Sequence, residues 1–174
     1  MEKKKPDLKT WWWYHKLHVL LAVAALAVAL YSFLPQLLAP KPDYSLAFVS
    51  IQGLPEEQIA ALRERVASLA DDRNGDGRVL IETALYGADL SGATDGNFNY
   101  NEAARLDADL VGRVSALLFF DEPEGFRANI AVSTTEPLPC AELPALAGLL
   151  PEGWYLAVRT DCGAEALYAA LLSP

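Results

Sequence analysis

Apolar side chains run almost unbroken through the first part of the chain and then fall into short periodic groups. From Leu17 to Leu34 the only polar side chains are His18, Tyr31 and Ser32. Such a run can cross a hydrocarbon core of about 30 Å at about 1.5 Å per residue. Trp11, Trp12, Trp13 and Tyr14 precede it. Aromatic rings with a polar tip settle at a headgroup interface, and Lys16 can extend its ammonium toward the same surface. Pro35, Pro40 and Pro42 are expected to end the helix, because proline lacks the backbone donor and crowds the preceding turn. The pattern predicts a basic tail over residues 1–16, a transmembrane signal-anchor helix over 17–39, a stiff linker over 40–43 and one α/β domain over 44–174.

Beyond the linker the periodicity alternates between strand and helix. Tyr44–Ile51 (YSLAFVSI) reads as a strand. Pro55 opens a helix at a favoured first-turn position, with Glu56 and Glu57 complementing the helix dipole. Ile59, Leu62, Val66 and Leu69 form its apolar stripe, and it ends near Asp71. Arg78–Tyr86 is a second strand, and a helix follows over about 102–111, with Gly112 as its cap. Val114–Phe120 reads as a fully buried strand, suited to the middle of a sheet. Arg127–Ser133 is a possible strand, Leu143–Leu150 a short helix between prolines, Trp154–Arg159 a strand and Ala164–Leu172 a closing helix. This alternation implies a small, mostly parallel sheet with flanking helices. Ligands in such sheets commonly bind where the loops after the strands gather.

Charge sharpens the placement. Lys3, Lys4, Lys5, Lys9 and Lys16 stand against Glu2 and Asp7 in the tail, a net of +3 in a chain whose total is −9. The remainder therefore carries −12. Lysines before the apolar helix place the N-terminus in the cytoplasm and the domain outside the cell. An acidic outer domain points away from nucleic acid as a partner. The expected partners are the lipid bilayer, through residues 17–39, and other membrane or envelope proteins.

The sharpest local motif is Asp72-Arg73-Asn74-Gly75-Asp76-Gly77. Oxygen ligands at loop positions one, three and five, with glycine at six, are how an EF-hand loop wraps calcium. Asp72, Asn74 and Asp76 are thus candidate calcium ligands, and Asp71 could add an oxygen. Position twelve is Thr83 rather than a bidentate acid, and Glu82 comes one residue early. The other reading is a plain turn, since Asn-Gly and Asp-Gly form turns without any ion. A second candidate is the loop Asp89–Asn101. Its Asp95, Asn97, Asn99 and Asn101 alternate with Phe98 and Tyr100, a mixture suited to a sugar or peptide. An ordinary surface loop reads the same way.

Cys140 and Cys162 are the only cysteines. Outside the cell they are a candidate disulfide, and two free thiols are the other reading. Both histidines, His15 and His18, lie at the membrane border. The domain has no histidine base, no Ser–His or Cys–His pair and no glycine-rich phosphate loop. Adjacent acids such as Asp121 and Glu122 read as solvated surface. That inventory points to a non-catalytic protein.

The elements YSLAFVS, PEEQIAALRERVASL, RVLIETALY, NEAARLDADLVG and SALLFF with the following DEPEGF resemble one lobe of the bacterial extracellular solute-binding proteins. The same series is similar to a group of uncharacterised single-pass membrane proteins of Gram-positive bacteria. The segment DRNGDGRV resembles the start of the calcium loops of dockerin modules. The first resemblance implies an α/β lobe that binds a ligand. The expected function is a membrane-anchored extracytoplasmic binding or interaction module without catalysis. The alternatives are a structural accessory subunit, whose Ala22, Ala25 and Ala29 allow close helix packing, and a carboxylate-dependent enzyme.

Overall fold

The computed structural model describes residues 8–38, 40–90 and 100–173. The chain divides into two units, Met1–Pro40 and Lys41–Pro174. The first is a single helix, α1 (Leu8–Leu38). Within it Trp11–Leu34, 24 residues, is long and apolar enough to cross a membrane, and none of the segment is buried by protein. Its leucines, valines and aromatic rings face outward on all sides. A helix apolar all round needs an apolar surrounding. The Lys16 ammonium lies 3.7 Å from the centre of the Trp13 ring. The helix runs past Pro35 and stops before Pro40, close to the expected end at residue 39.

The second unit is a five-stranded sheet with helices on both faces. In chain order it contains β1 (Tyr44–Val49), α2 (Glu56–Leu69), β2 (Ile81–Tyr86), α3 (Tyr100–Gly112), β3 (Leu117–Phe120), α4 (Pro123–Asn129), β4 (Leu138–Pro139), β5 (Tyr155–Val158) and α5 (Glu165–Leu172). The strand order is β2-β1-β3-β5-β4. β1 is parallel to both β2 and β3, while β5 is antiparallel to β3 and to β4. The sheet is therefore mixed, and the expectation of a mostly parallel one is corrected. The cause lies between β3 and β5. That stretch carries Pro123, Pro137, Pro139, Pro144 and Pro151, so no long crossover helix forms to return the chain to the starting edge.

The same stretch overturns two local expectations. Residues 127–133 do not form a strand, because Pro123 at a first-turn position and Glu124 beside it start α4 instead. The helix expected over 143–150 is only a short 3₁₀ turn, Pro144–Leu146. Two hydrophobic layers hold the domain. On one face Leu46, Phe48, Leu117, Phe119, Leu156 and Val158 meet Ile59, Leu62 and Val66 of α2 and Leu167 and Leu171 of α5. On the other Ala47, Val49, Leu118, Phe120 and Ala157 meet Leu106 and Leu110 of α3 and Phe126 of α4. Strand β3 lies at the centre and is buried on both faces, as its unbroken apolar run predicts.

Candidate functional site

The Asp72–Gly77 motif forms a turn closed by its own hydrogen bonds. The Asp72 carboxylate accepts the amides of Gly75 and Gly77, each at 2.7 Å. Asn74 Oδ1 accepts the Asp76 amide at 2.9 Å, and Asp76 Oδ1 accepts the Arg78 amide at 2.9 Å. Gly75 and Gly77 take positive φ, which glycine adopts without strain. The turn is tied to the sheet by Asp43, which is buried. Its carboxylate accepts the amides of Leu80, Arg73 and Asn74 at 2.8, 2.8 and 3.0 Å. Those donors, the Leu80 amide foremost, hold the Asp43 carboxyl below the usual carboxylate range. The Tyr44 hydroxyl donates to Asp71. Burial first, and then Asp71, push the Tyr44 phenol up to about 12. Among the described residues no group of three or more His, Cys, Asp or Glu side chains is placed to hold a metal ion. Thr83 lies in the edge strand β2, paired with Leu46 of β1.

Of the candidate ligand loop, Asp95, Asn97, Phe98 and Asn99 lie outside the described residues. Tyr100 begins α3 and is exposed. Where the two ends of that loop enter the fold, the structure forms an apolar cleft of about 430 Å³. Its walls are Ala88–Leu90, Ala103, Leu106, Leu110 and Val111 of α3, and residues 129–132. Asn129 joins two walls, its side-chain amide donating to Leu90 O at 2.8 Å and Gly125 O at 3.1 Å. Asp89 and Asp107 are the acids at the rim. A cleft of this size, with apolar walls and few polar groups, has the make-up of a small-molecule site.

Behind the cleft, α3 is pinned by a buried polar cluster. Asp109 accepts the Ser115 amide at 2.9 Å, the Ser115 hydroxyl at 2.7 Å and the Tyr86 hydroxyl at 2.5 Å. All three residues are buried. Burial and the Asp109 carboxylate raise the Tyr86 phenol well above its ordinary value. The helix then ends in a Schellman turn. The Val114 amide reaches Asp109 O and the Arg113 amide reaches Leu110 O, and the left-handed position falls on Arg113 (φ 55°). Gly112, the expected cap, immediately precedes it.

The structure does not join the candidate disulfide. Cys140 and Cys162 are free thiols. Cys140 is buried at the start of a 3₁₀ turn, where burial pushes its thiol up to about 12. Cys162 follows β5, its Sγ 3.9 Å from Arg113 O and 3.6 Å from Asp161. Burial raises its thiol as well, so neither sulfur is activated as a thiolate. Asp121 accepts a hydrogen bond from the Ser50 hydroxyl at 2.5 Å. That pair occupies the end of β1 and β3 where the loops after the strands begin.

Comparison with protein-family models, with curated proteins and with solved structures returns no match. Sequence reasoning missed Asp43, Asp109 and Arg159, the three buried charges among the described residues. Each stands singly among apolar or turn residues, so no motif flags it. The only signal is a charge at a position whose periodicity points inward, as for Asp109, which is one helical turn from Leu106 and adjacent to Leu110.

Proposed function

We propose that the protein is a membrane-anchored binding module without catalysis. In this reading α1 holds it in the bilayer, the five lysines keep the N-terminus in the cytoplasm, and the acidic domain works outside. The observation that carries it is the apolar cleft of about 430 Å³ between α3 and residues 88–90 and 129–132. The cleft receives the apolar part of a small ligand, and Asp89, Asp107 and Asn129 at its edge orient the polar part. The resemblance to one lobe of the solute-binding proteins fits the same role. Support for a non-catalytic role comes from the raised thiols of both cysteines and from the domain's lack of histidine.

Native mass spectrometry of the full chain, purified from its host membrane in non-ionic detergent, tests the reading. Wild type should carry a stoichiometric small-molecule adduct. Ala103→Trp, which fills the cleft from α3, should lose it while melting normally. An adduct-free wild type, or an adduct unaffected by Ala103→Trp, would refute the cleft as the site.

A further inference from the structure

We propose that a second cavity, at the end of the sheet where β1, β2 and β3 begin, binds a small zwitterion carrying one oxyanion and one ammonium group. The cavity measures about 320 Å³, within the range of small-molecule sites. It goes beyond the cleft described above and shares no residue with it. The charged residues lining it are Asp43, Arg73, Glu82, Arg113 and Asp161, and Ser45 is also in its wall.

Which of these charges are already satisfied decides what the cavity can take. Asp43 is filled by three backbone amides. Asp161 receives the fork of buried Arg159, with Nε to one oxygen and Nη2 to the other, both at 3.0 Å. Arg159 alone balances that carboxylate, so Arg113, whose Nε is 3.2 Å from the same Asp161, is surplus positive charge. Arg73 lies over the Tyr44 ring at 5.0 Å, and among the described residues its guanidinium has no ion pair. Glu82 likewise has none. Arg73 also acts electrostatically on the Asp43 and Asp71 carboxylates, so the cavity offers one surplus guanidinium, shared by Arg113 and Arg159 around Asp161, and one carboxylate without an ion pair, that of Glu82. Guanidinium forks match carboxylate and phosphate oxygens, while Glu82 suits an ammonium.

Ser45 supplies a hydroxyl to the same cavity. The residue as a whole is only 6% exposed, and among the described residues its hydroxyl makes no hydrogen bond to protein. Ser45 pairs in register with Glu82 on the neighbouring parallel strand. Their side chains thus leave the sheet on the same face, beside each other. The Ser45 hydroxyl oxygen is not sealed by protein, so it opens into the cavity and is free to bond a ligand there. The left-handed backbone of Arg113 holds a third donor at the same rim.

Free α-amino acids and the phosphoethanolamine group of a lipid share this chemistry. The test is thermal unfolding of the full chain in non-ionic detergent, with each of the standard amino acids and with O-phosphoethanolamine at a concentration of about 10 mM. A site with a dissociation constant near 0.1 mM is then in hundredfold excess and raises the midpoint by roughly 8 °C. Acetate and ethylammonium, each with half the charge pattern, should move it by less than about 1 °C. Arg113→Gln and Glu82→Gln should each weaken binding at least about tenfold and cut the shift accordingly. Glu82 is exposed on an edge strand, so at least this variant keeps the ligand-free midpoint. A shift from amino acids alone assigns a free solute, and one from O-phosphoethanolamine alone assigns a headgroup. No shift from any zwitterion, an equal shift from acetate or ethylammonium, or full retention of the shift in Glu82→Gln overturns the proposal.

Discussion

Replacing Asp109 by alanine isolates the polar cluster that fastens α3 to the sheet. The substitution removes the acceptor for the Ser115 amide, the Ser115 hydroxyl and the Tyr86 hydroxyl. The two hydroxyls can rotate toward other acceptors, but the Ser115 amide is fixed by the backbone and Ser115 is fully buried. An orphaned buried donor costs about 1–3 kcal/mol, and a lost bond to a charged acceptor is at the upper end of the hydrogen-bond range. Breaking the cluster from its charged centre should thus cost about 3–5 kcal/mol. For a domain of this size that lowers the melting midpoint by roughly 10–20 °C. Tyr86→Phe removes one bond from the same cluster and should cost only about 1–1.5 kcal/mol. The double variant should be less destabilised than the two singles summed, with a coupling of about 1 kcal/mol. Near-ultraviolet circular dichroism of the full chain in detergent reads all three. A loss below about 1 kcal/mol for Asp109→Ala, or strict additivity with Tyr86→Phe, would show that these bonds do not hold α3.

Other consequences follow from the same geometry. Arg113→Gly should stabilise the domain by about 0.5–1 kcal/mol in urea titration, since glycine takes the left-handed position freely and the exposed pair it gives up is worth little. Asp43, Asp71 and Asp161 all have carboxyls held below their ordinary value. Their contribution is complete above the unfolded carboxyl value and disappears as pH falls below about 4, so stability should be level at neutral pH and fall in acid. Asp43→Asn should flatten that acid limb. Tyr44 works in the opposite sense. Its contribution is present below pH about 10 and is lost as pH rises toward about 12, which ultraviolet titration of the phenol will show. Millimolar calcium should move the melting midpoint by less than about 1 °C, because the turn at 72–77 is already closed by amide donors. A rise of several degrees, abolished by Asp76→Ala, would instead make that turn an ion site.

Much of the fold was readable from periodicity, and its failures have one origin. The alternation of 44–120 gave two strand–helix–strand crossovers, because each helix shows a stripe and each strand an apolar run. Residues 121–154 escaped the same treatment. There five prolines fragment the helical period, and β4 is only two residues long, too short to carry any pattern. The antiparallel half of the sheet was therefore illegible. The site fared less well. The Asp-Asn-Asp spacing at 72–76 is shared by turns and calcium loops, and the residue that ties this turn to the sheet is Asp43, 29 residues upstream of Asp72. No local reading connects those two positions. The polar cavity likewise joins residues 45, 73, 82, 113 and 161, whose only common feature is the end of the sheet on which they fall.

The position of β1 in the sheet also dictates a timetable for synthesis. It is the first strand made, yet it lies second from the edge, and its inner neighbour β3 pairs Leu46 with Leu117. A ribosome adding about 5–20 residues per second needs roughly 4–14 s to bridge that interval. Throughout it the apolar faces of Leu46, Phe48 and Val49 have no β3 to cover them. The nascent domain must wait in that condition. The chain is thus most prone to misassociate before its last third emerges, and that interval is where a chaperone would have most effect.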